Sequence, residues 1–248
     1  MNTPSISLLK ALTEAGVGSR RRIADAIKNG RVEVNGEPVE NFRHPVNLET
    51  DRVSVYGKLV DLKPRRTVYL MVNKPAGIIT TTSDERGRKT VLDILPEKYR
   101  HLRLYPVGRL DKDSTGLLLL TNDGELTYRL THPKFEHEKE YLIHIEGRLK
   151  PDEKRKLEKG VELEDGMTYP VDVKEIKSPP PFSYSITMHE GRKRQVRRML
   201  ANLGYQVLAI KRIRMGNLNL GNLKEGAARE LNPEEVRSLL AGRLPACL

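Results

Sequence analysis

The residue best placed to do chemistry is Asp111. It lies in Gly108-Arg109-Leu110-Asp111-Lys112-Asp113-Ser114-Thr115-Gly116, a polar, glycine-bounded stretch that runs into Leu117-Leu118-Leu119-Leu120-Thr121 and then Asn122-Asp123-Gly124. A carboxylate on a loop just before a buried strand has two readings. It can shape the loop as an Asx-turn, or it can be a reactive group held on a rigid support. Other chemistries lack their residues. The six histidines, His44, His101, His132, His137, His144 and His189, show no His-Glu-x-x-His spacing for a helical zinc site. There is no Gly-x-x-x-x-Gly-Lys phosphate loop and no Gly-x-Gly-x-x-Gly after a strand. Ser114 has no Gly-x-Ser-x-Gly elbow around it. Cys247, the single cysteine, sits beside the C-terminal residue, which argues against a thiol nucleophile, a disulfide framework or a cysteine-rich metal site. Any catalysis is therefore expected to rest on carboxylate, tyrosine and basic groups, with no metal and no cofactor.

The basic groups are focused. The chain has 248 residues, with 44 Lys and Arg against 33 Asp and Glu, a net charge of +11. Residues 1–66 carry a net +4, and the stretch from Thr187 to Arg214 carries a net +7 with Glu190 as its one acid. Two clusters stand out, Arg20-Arg21-Arg22 and the region from Arg192 to Arg214. A surplus gathered in patches points to a polyanion, most simply a nucleic acid, whereas a solvated face would scatter it. Aliphatic runs reach only Leu117 to Leu120, far short of a membrane span, and the first residues lack a secretory pattern. The expectation is a cytoplasmic protein with no membrane contact.

These groups need elements to hold them. Leu8, Ala11, Leu12 and Ala15 have the spacing of one face of a helix. Ser19 is a good N-cap for a second helix with Ile23, Ala26 and Ile27 inward. Three arginines in that helix's first turn oppose its dipole, an arrangement that makes sense if a phosphate meets the helix start. Asn35-Gly36 predicts a hairpin turn between short strands, and Val53 and Val55 a further strand. Beyond a basic Lys63-Pro64-Arg65-Arg66-Thr67 linker, strands are expected at 68–72, 102–107 and 117–121, around Tyr141 and around Tyr184. Glu125 to Leu130 and Gln195 to Leu203 read as helices, and Ser178 with Pro179-Pro180-Pro181 as a loop. The pattern predicts an α+β fold with a mixed, mostly antiparallel sheet.

Several of these segments, taken in order, resemble a known family. Gly16-Val17-Gly18-Ser19-Arg20-Arg21 followed by Gly30-Arg31-Val32-Glu33-Val34-Asn35-Gly36 is similar to the small αL RNA-binding module, although Ser7 stands where that module often opens with arginine. The Asp111 segment resembles the catalytic motif of RNA pseudouridine synthases of the RsuA/RluB group. So do Asn73-Lys74-Pro75-Ala76-Gly77, Thr131-His132-Pro133-Lys134-Phe135 with Glu138-Lys139-Glu140-Tyr141, and Glu190-Gly191-Arg192-Lys193-Arg194-Gln195-Val196-Arg197-Arg198-Met199. The resemblance implies isomerisation of uridine to pseudouridine in RNA, without cofactor or metal. It implies that Asp111 is the essential carboxylate, that Tyr141 stacks on the target base and that Arg197 pairs with the aspartate, with Arg192 as the next choice. Arg109 would occupy the space left by the flipped base. Arg192, Arg194, Arg198 and Lys139, with Arg20, Arg21, Arg22 and Arg31 in the first module, would contact RNA.

The expected organisation is an RNA-binding domain at 1–62, a linker at 63–67, a catalytic domain at 68–240 and a tail at 241–248. The expected partner is ribosomal RNA, with the large subunit favoured over small-subunit or transfer RNA. The competing reading is a non-catalytic RNA-binding or ribosome-assembly protein, which would keep both basic patches without needing Asp111, Tyr141 and Arg197 together. The sequence leaves the oligomeric state open.

Overall fold

The computed structural model describes residues 5–177 and 179–241. Ser178, Cys247 and the tail from residue 242 lie outside the described residues. The chain forms two compact units that divide between Thr67 and Val68.

The first unit contains β1 (Ile6–Ser7), α1 (Leu8–Glu14), α2 (Arg20–Lys28), β2 (Val32–Val34), β3 (Glu37–Pro38), β4 (Pro45–Val46), β5 (Val53–Val55) and β6 (Lys58–Val60). Leu8, Leu12, Ile23 and Ile27 from the two helices pack on Val32, Val53 and Val55 from the small sheet. Ser19 caps α2, its hydroxyl accepting from the Arg22 N–H at 3.0 Å. The hairpin turn forms at Asn35-Gly36, both with positive φ. The stretch expected to be a linker belongs by contact to this unit. The Arg65 N–H donates to the Glu14 carbonyl at 3.2 Å, and its Nε to the Ala15 carbonyl at 3.0 Å. Gly16 leaves the room for that side chain, since a Cβ there would lie 2.8 Å from Arg65 Nε.

The second unit contains, in order, β7 (Tyr69–Lys74), α3 (Glu97–Arg100), β8 (Tyr105–Val107), β9 (Thr115–Thr121), α4 (Gly124–Thr131), β10 (Lys139–Ile145), α5 (Pro151–Lys159), β11 (Glu162–Leu163), β12 (Gly166–Met167), β13 (Asp172–Glu175), β14 (Tyr184–Met188), α6 (Gln195–Asn202), β15 (Val207–Met215), β16 (Leu218–Asn219), β17 (Ala228–Glu230) and α7 (Pro233–Leu240). Its main sheet runs β13-β14-β10-β15-β9-β7-β17, with β16 on β15 and β8 on β9. Every pairing in it is antiparallel except β15 with β9, so the fold is α+β with a mixed, mostly antiparallel sheet.

The apolar run Leu117–Leu120 suits a strand covered on both faces. Leu118 and Leu120 join the core under α5 and α6. Leu117 and Leu119 join the core under α4 and α7. The strand expected at 102–107 is shorter, because Leu102 is still tied to α3 through its N–H to the Tyr99 carbonyl at 3.0 Å. No described helix is long and apolar enough to cross a membrane.

Candidate active site

Asp111 lies on the loop between β8 and β9, and that loop is gripped from beneath. Lys74 ends β7 fully buried. Its ammonium donates to the carbonyls of Pro75 and Ser114, both at 2.8 Å, and more loosely to that of Lys112 at 3.3 Å. The Gly77 N–H donates to the same Lys112 carbonyl at 2.8 Å. The Thr80 hydroxyl donates to the Leu110 carbonyl at 2.8 Å. Within the loop, the Ser114 N–H closes onto the Asp111 carbonyl at 3.1 Å. The carboxylate thus sits on a backbone held on both sides. Burial pushes the Lys74 ammonium down to about 8, against the pull of Asp113, Asp111 and Glu225.

The basic side of the cleft comes from α6 and the turn before it. Arg194, in the left-handed region at φ 51°, caps the helix. Its Nη1 lies 4.0 Å from Asp111 Oδ2 and 3.3 Å from Asp113 Oδ1. Arg197 pairs with Asp113, at 3.1 Å from Nη2 to Oδ2, and its Nη1 donates to the Val207 carbonyl at 2.8 Å. The structure therefore corrects the expected pairing: Arg197 meets Asp113, and the guanidinium facing Asp111 is that of Arg194. The reason is reach, because the Val207 carbonyl anchors Arg197 beside Asp113. Burial alone would raise the Asp113 carboxyl, but Arg197 and then Arg194 outweigh it and hold it below the ordinary carboxylate value.

Tyr141 comes from the middle of the sheet. On β10 it lies opposite Ile186 of β14 and Arg212 of β15. A bulge makes that second pairing. Glu140 faces Arg214 while Tyr141 faces Arg212, so Ile213 is the extra residue. One arginine then serves each side. Arg214 binds Glu140 at 2.9 Å and Glu138 at 3.0 Å, whereas Arg212 is 2% exposed beside Tyr141. Tyr141 is 9% exposed and lines a cleft of about 520 Å³ together with Arg109, Asp111, Arg194 and Arg197. Arg109 is exposed at its mouth.

Two arginines expected to meet RNA have protein partners. Arg192 binds Glu190 at 3.0 Å and donates to the carbonyls of Asp165, Gly166 and Met167. Arg198 forms a forked pair with Asp165, at 2.8 and 3.0 Å. Both tie down the β11–β12 hairpin, so most of their donors are committed, the buried Arg198 Nε excepted. Lys139 is drawn inward instead, donating to the carbonyls of His137 at 3.3 Å and His189 at 3.5 Å. In the first unit Arg20, Arg21, Arg22 and Arg31 are all exposed.

Sequence reasoning missed Lys74 as the support of the loop, Asp113 as the partner of Arg197, and Arg212. The signal for Lys74 was a lysine at the end of an otherwise apolar strand. Arg212 was hidden, because a buried arginine breaks the apolar alternation that would have marked β15.

A carboxylate on a loop gripped by a buried lysine, a tyrosine lining the same cleft and guanidinium groups beside it make this cleft the candidate site. Residues 68–202 match the RNA pseudouridylate synthase family and residues 7–53 match the S4 domain. The chain belongs to the RNA pseudouridine synthase family, isomerases that convert uridine to pseudouridine in RNA. It is 43% identical over 237 residues to ribosomal large subunit pseudouridine synthase B of Bacillus subtilis, covering 94% of this chain and 95% of that protein. It is 41% identical over 236 residues to an uncharacterized RNA pseudouridine synthase of Aquifex aeolicus, covering 94% and 93% respectively. A crystal structure of a pseudouridylate synthase superposes with a TM-score of 0.67 at 31% identity, covering 95% of this chain and 100% of that one.

Proposed function

We propose that this chain converts a uridine of large-subunit ribosomal RNA into pseudouridine at the cleft containing Asp111. The observation that carries the reading is the juxtaposition of Asp111, Tyr141 and Arg194 around one cavity, on a loop gripped by buried Lys74. The large subunit is favoured because the Bacillus subtilis relative is named for it. A ribosomal substrate also implies work in the cytoplasm. The domain roles follow the same reading, with residues 1–62 binding RNA and residues 68–240 doing the chemistry.

The reaction breaks the bond between uracil N1 and ribose C1′ and forms one between C5 and C1′. C5 loses its proton and N1 gains one, so no net group is added and no external energy source is needed. A base inside a helix is out of reach, so the nucleotide must leave its stack. Arg109, exposed at the mouth of the cleft, would fill the space vacated. Tyr141 presents its ring to the freed base. Asp111 supplies the carboxylate, whether it attacks the sugar or base or takes a proton. Either role uses the carboxylate, which the Arg194 guanidinium faces at 4.0 Å.

The test uses large-subunit ribosomal RNA transcribed with tritium at uridine C5. The wild-type chain should release tritium and leave pseudouridine at a mapped position. A protein that binds this RNA and releases none would be the non-catalytic alternative.

A further inference from the structure

A second cavity, of about 640 Å³, adjoins the cleft and shares Gly108, Arg109, Tyr141, Gly191 and Arg192 with it. Its inner lining holds two cations, Lys139 and Arg212. Arg212 donates through Nε to the Leu117 carbonyl at 2.7 Å, and its buried Nη2 has no partner among the described residues. The Lys139 ammonium meets two carbonyl oxygens, those of His137 and His189. The nearby carboxylate, Glu190, is taken up by Arg192, Gln195 and the Tyr169 N–H. Glu136 stands at the exposed rim. A buried guanidinium with a half-buried ammonium beside it is costly unless an anion joins them. Burial and then Arg212 hold the Lys139 ammonium down at about 8, against the pull of Glu190.

We propose that this cavity is a phosphate subsite: it takes a phosphodiester that flanks the target uridine, its anionic oxygens meeting Lys139 and the unpartnered face of Arg212. The inference rests on the RNA-modifying reading of the adjoining cleft. Geometry supports the coupling, because Tyr141 lines both cavities and lies opposite Arg212 in the sheet. A phosphate seated here would hold the nucleotide by its backbone while its base lies on the tyrosine. His137 is buried in the same wall, and burial favours its neutral form.

The test measures binding of the full-length chain to a large-subunit ribosomal RNA transcript at several salt concentrations, with tritium release from the same RNA measured in parallel. Removing one phosphate contact lowers the log–log salt slope by about one. Lys139→Met should therefore flatten the slope by about one, and Lys139→Arg should keep it. Uridine 3′,5′-bisphosphate should compete with the RNA for the wild-type chain, and about tenfold less well for Lys139→Met. An unchanged slope in a folded Lys139→Met chain overturns the proposal. So does equal competition by uridine without phosphates, which would make the occupant a base. Tritium release with an unchanged slope removes the subsite alone. A changed slope with no tritium release by the wild-type chain removes the isomerase reading and keeps an anion site. Arg212→Met is a second variant, but its loss of the Leu117 bond can unfold β15, so the Lys139 variants are the ones that decide.

Discussion

At the scale of single residues, three charged side chains divide the work around Asp111. Asp111 has Arg194 4.0 Å away, whereas Asp113 takes the tight contact with Arg197. That leaves the Asp111 carboxylate open on the side facing the cleft. Asp111→Asn keeps the shape and the loop but removes the ionisable group. Its tritium release should fall by at least about a hundredfold, with RNA affinity nearly unchanged. Activity near that of wild type would remove Asp111 from the mechanism. Arg197→Lys tests the support. A lysine cannot bond the Val207 carbonyl and Asp113 together as the guanidinium fork does. The single-turnover rate should drop by about tenfold, with the salt slope of RNA binding unchanged. A full rate would show that the Asp113 pair does not position the loop. The Asp113 contribution to stability has a definite pH sign. Its carboxyl is lowered on folding, so the stabilisation is present above the unfolded value and fades as pH falls through the folded one.

At the scale of elements, the site depends on β7, β9 and β15 lying where they do. Gly116 on β9 faces Arg212 on β15 across the parallel pairing of those two strands. Its φ is +103°, and a Cβ there would overlap the Arg212 carbonyl. Gly116→Ala should destabilise the unit by about 3 kcal/mol or more, from backbone strain and the lost close approach. Denaturant unfolding checks this, and a loss within about 0.5 kcal/mol would contradict the close approach. Lys74 at the end of β7 gives a pH signature. Its ammonium is lowered from 10.5 to about 8. Below that value both folded and unfolded chains hold the proton, and the cost of burying the charge applies in full. Between about 8 and 10.5 only the unfolded chain holds it, so this group makes stability rise with pH. Lys74→Met should lose that part of the rise, leave three carbonyls without their shared donor and slow isomerisation without weakening RNA binding. An identical pH slope in the variant would show that Lys74 titrates normally.

At the scale of the whole molecule, the two units carry different kinds of charge. The arginines at the start of α2 are exposed and stand where free helix N–H groups also point outward. In the second unit much of the basic cluster is engaged by protein partners, such as Glu138, Glu140 and Asp165. Affinity is therefore expected to come from the first unit and chemistry from the second. Replacing Arg20, Arg21 and Arg22 together by alanine should lower the log–log salt slope by about two to three. The single-turnover rate at saturating RNA should change much less. An unchanged slope would make the cluster a solvated face, and a collapsed rate at saturation would show that the first unit helps to build the site.

Elements with local signals were legible in the chain before any coordinates. Periodicity marked α1, α2 and α6, side-chain chemistry marked the Ser19 cap, and Asn35-Gly36 marked the first hairpin. The resemblance of ordered motifs pointed to Asp111 and Tyr141, because such motifs are written in consecutive residues. Which charges meet was settled only by the folded chain. Asp111 and Arg194 are far apart in sequence, and the choice between Asp111 and Asp113 as the partner of Arg197 turns on a carbonyl at Val207. The bulge at Ile213 sends Arg212 toward Tyr141 and leaves Arg214 to Glu140, a choice between neighbours that read alike in one dimension. A charge is written in the chain, but its burial and its partner depend on strands brought together from opposite ends of the domain.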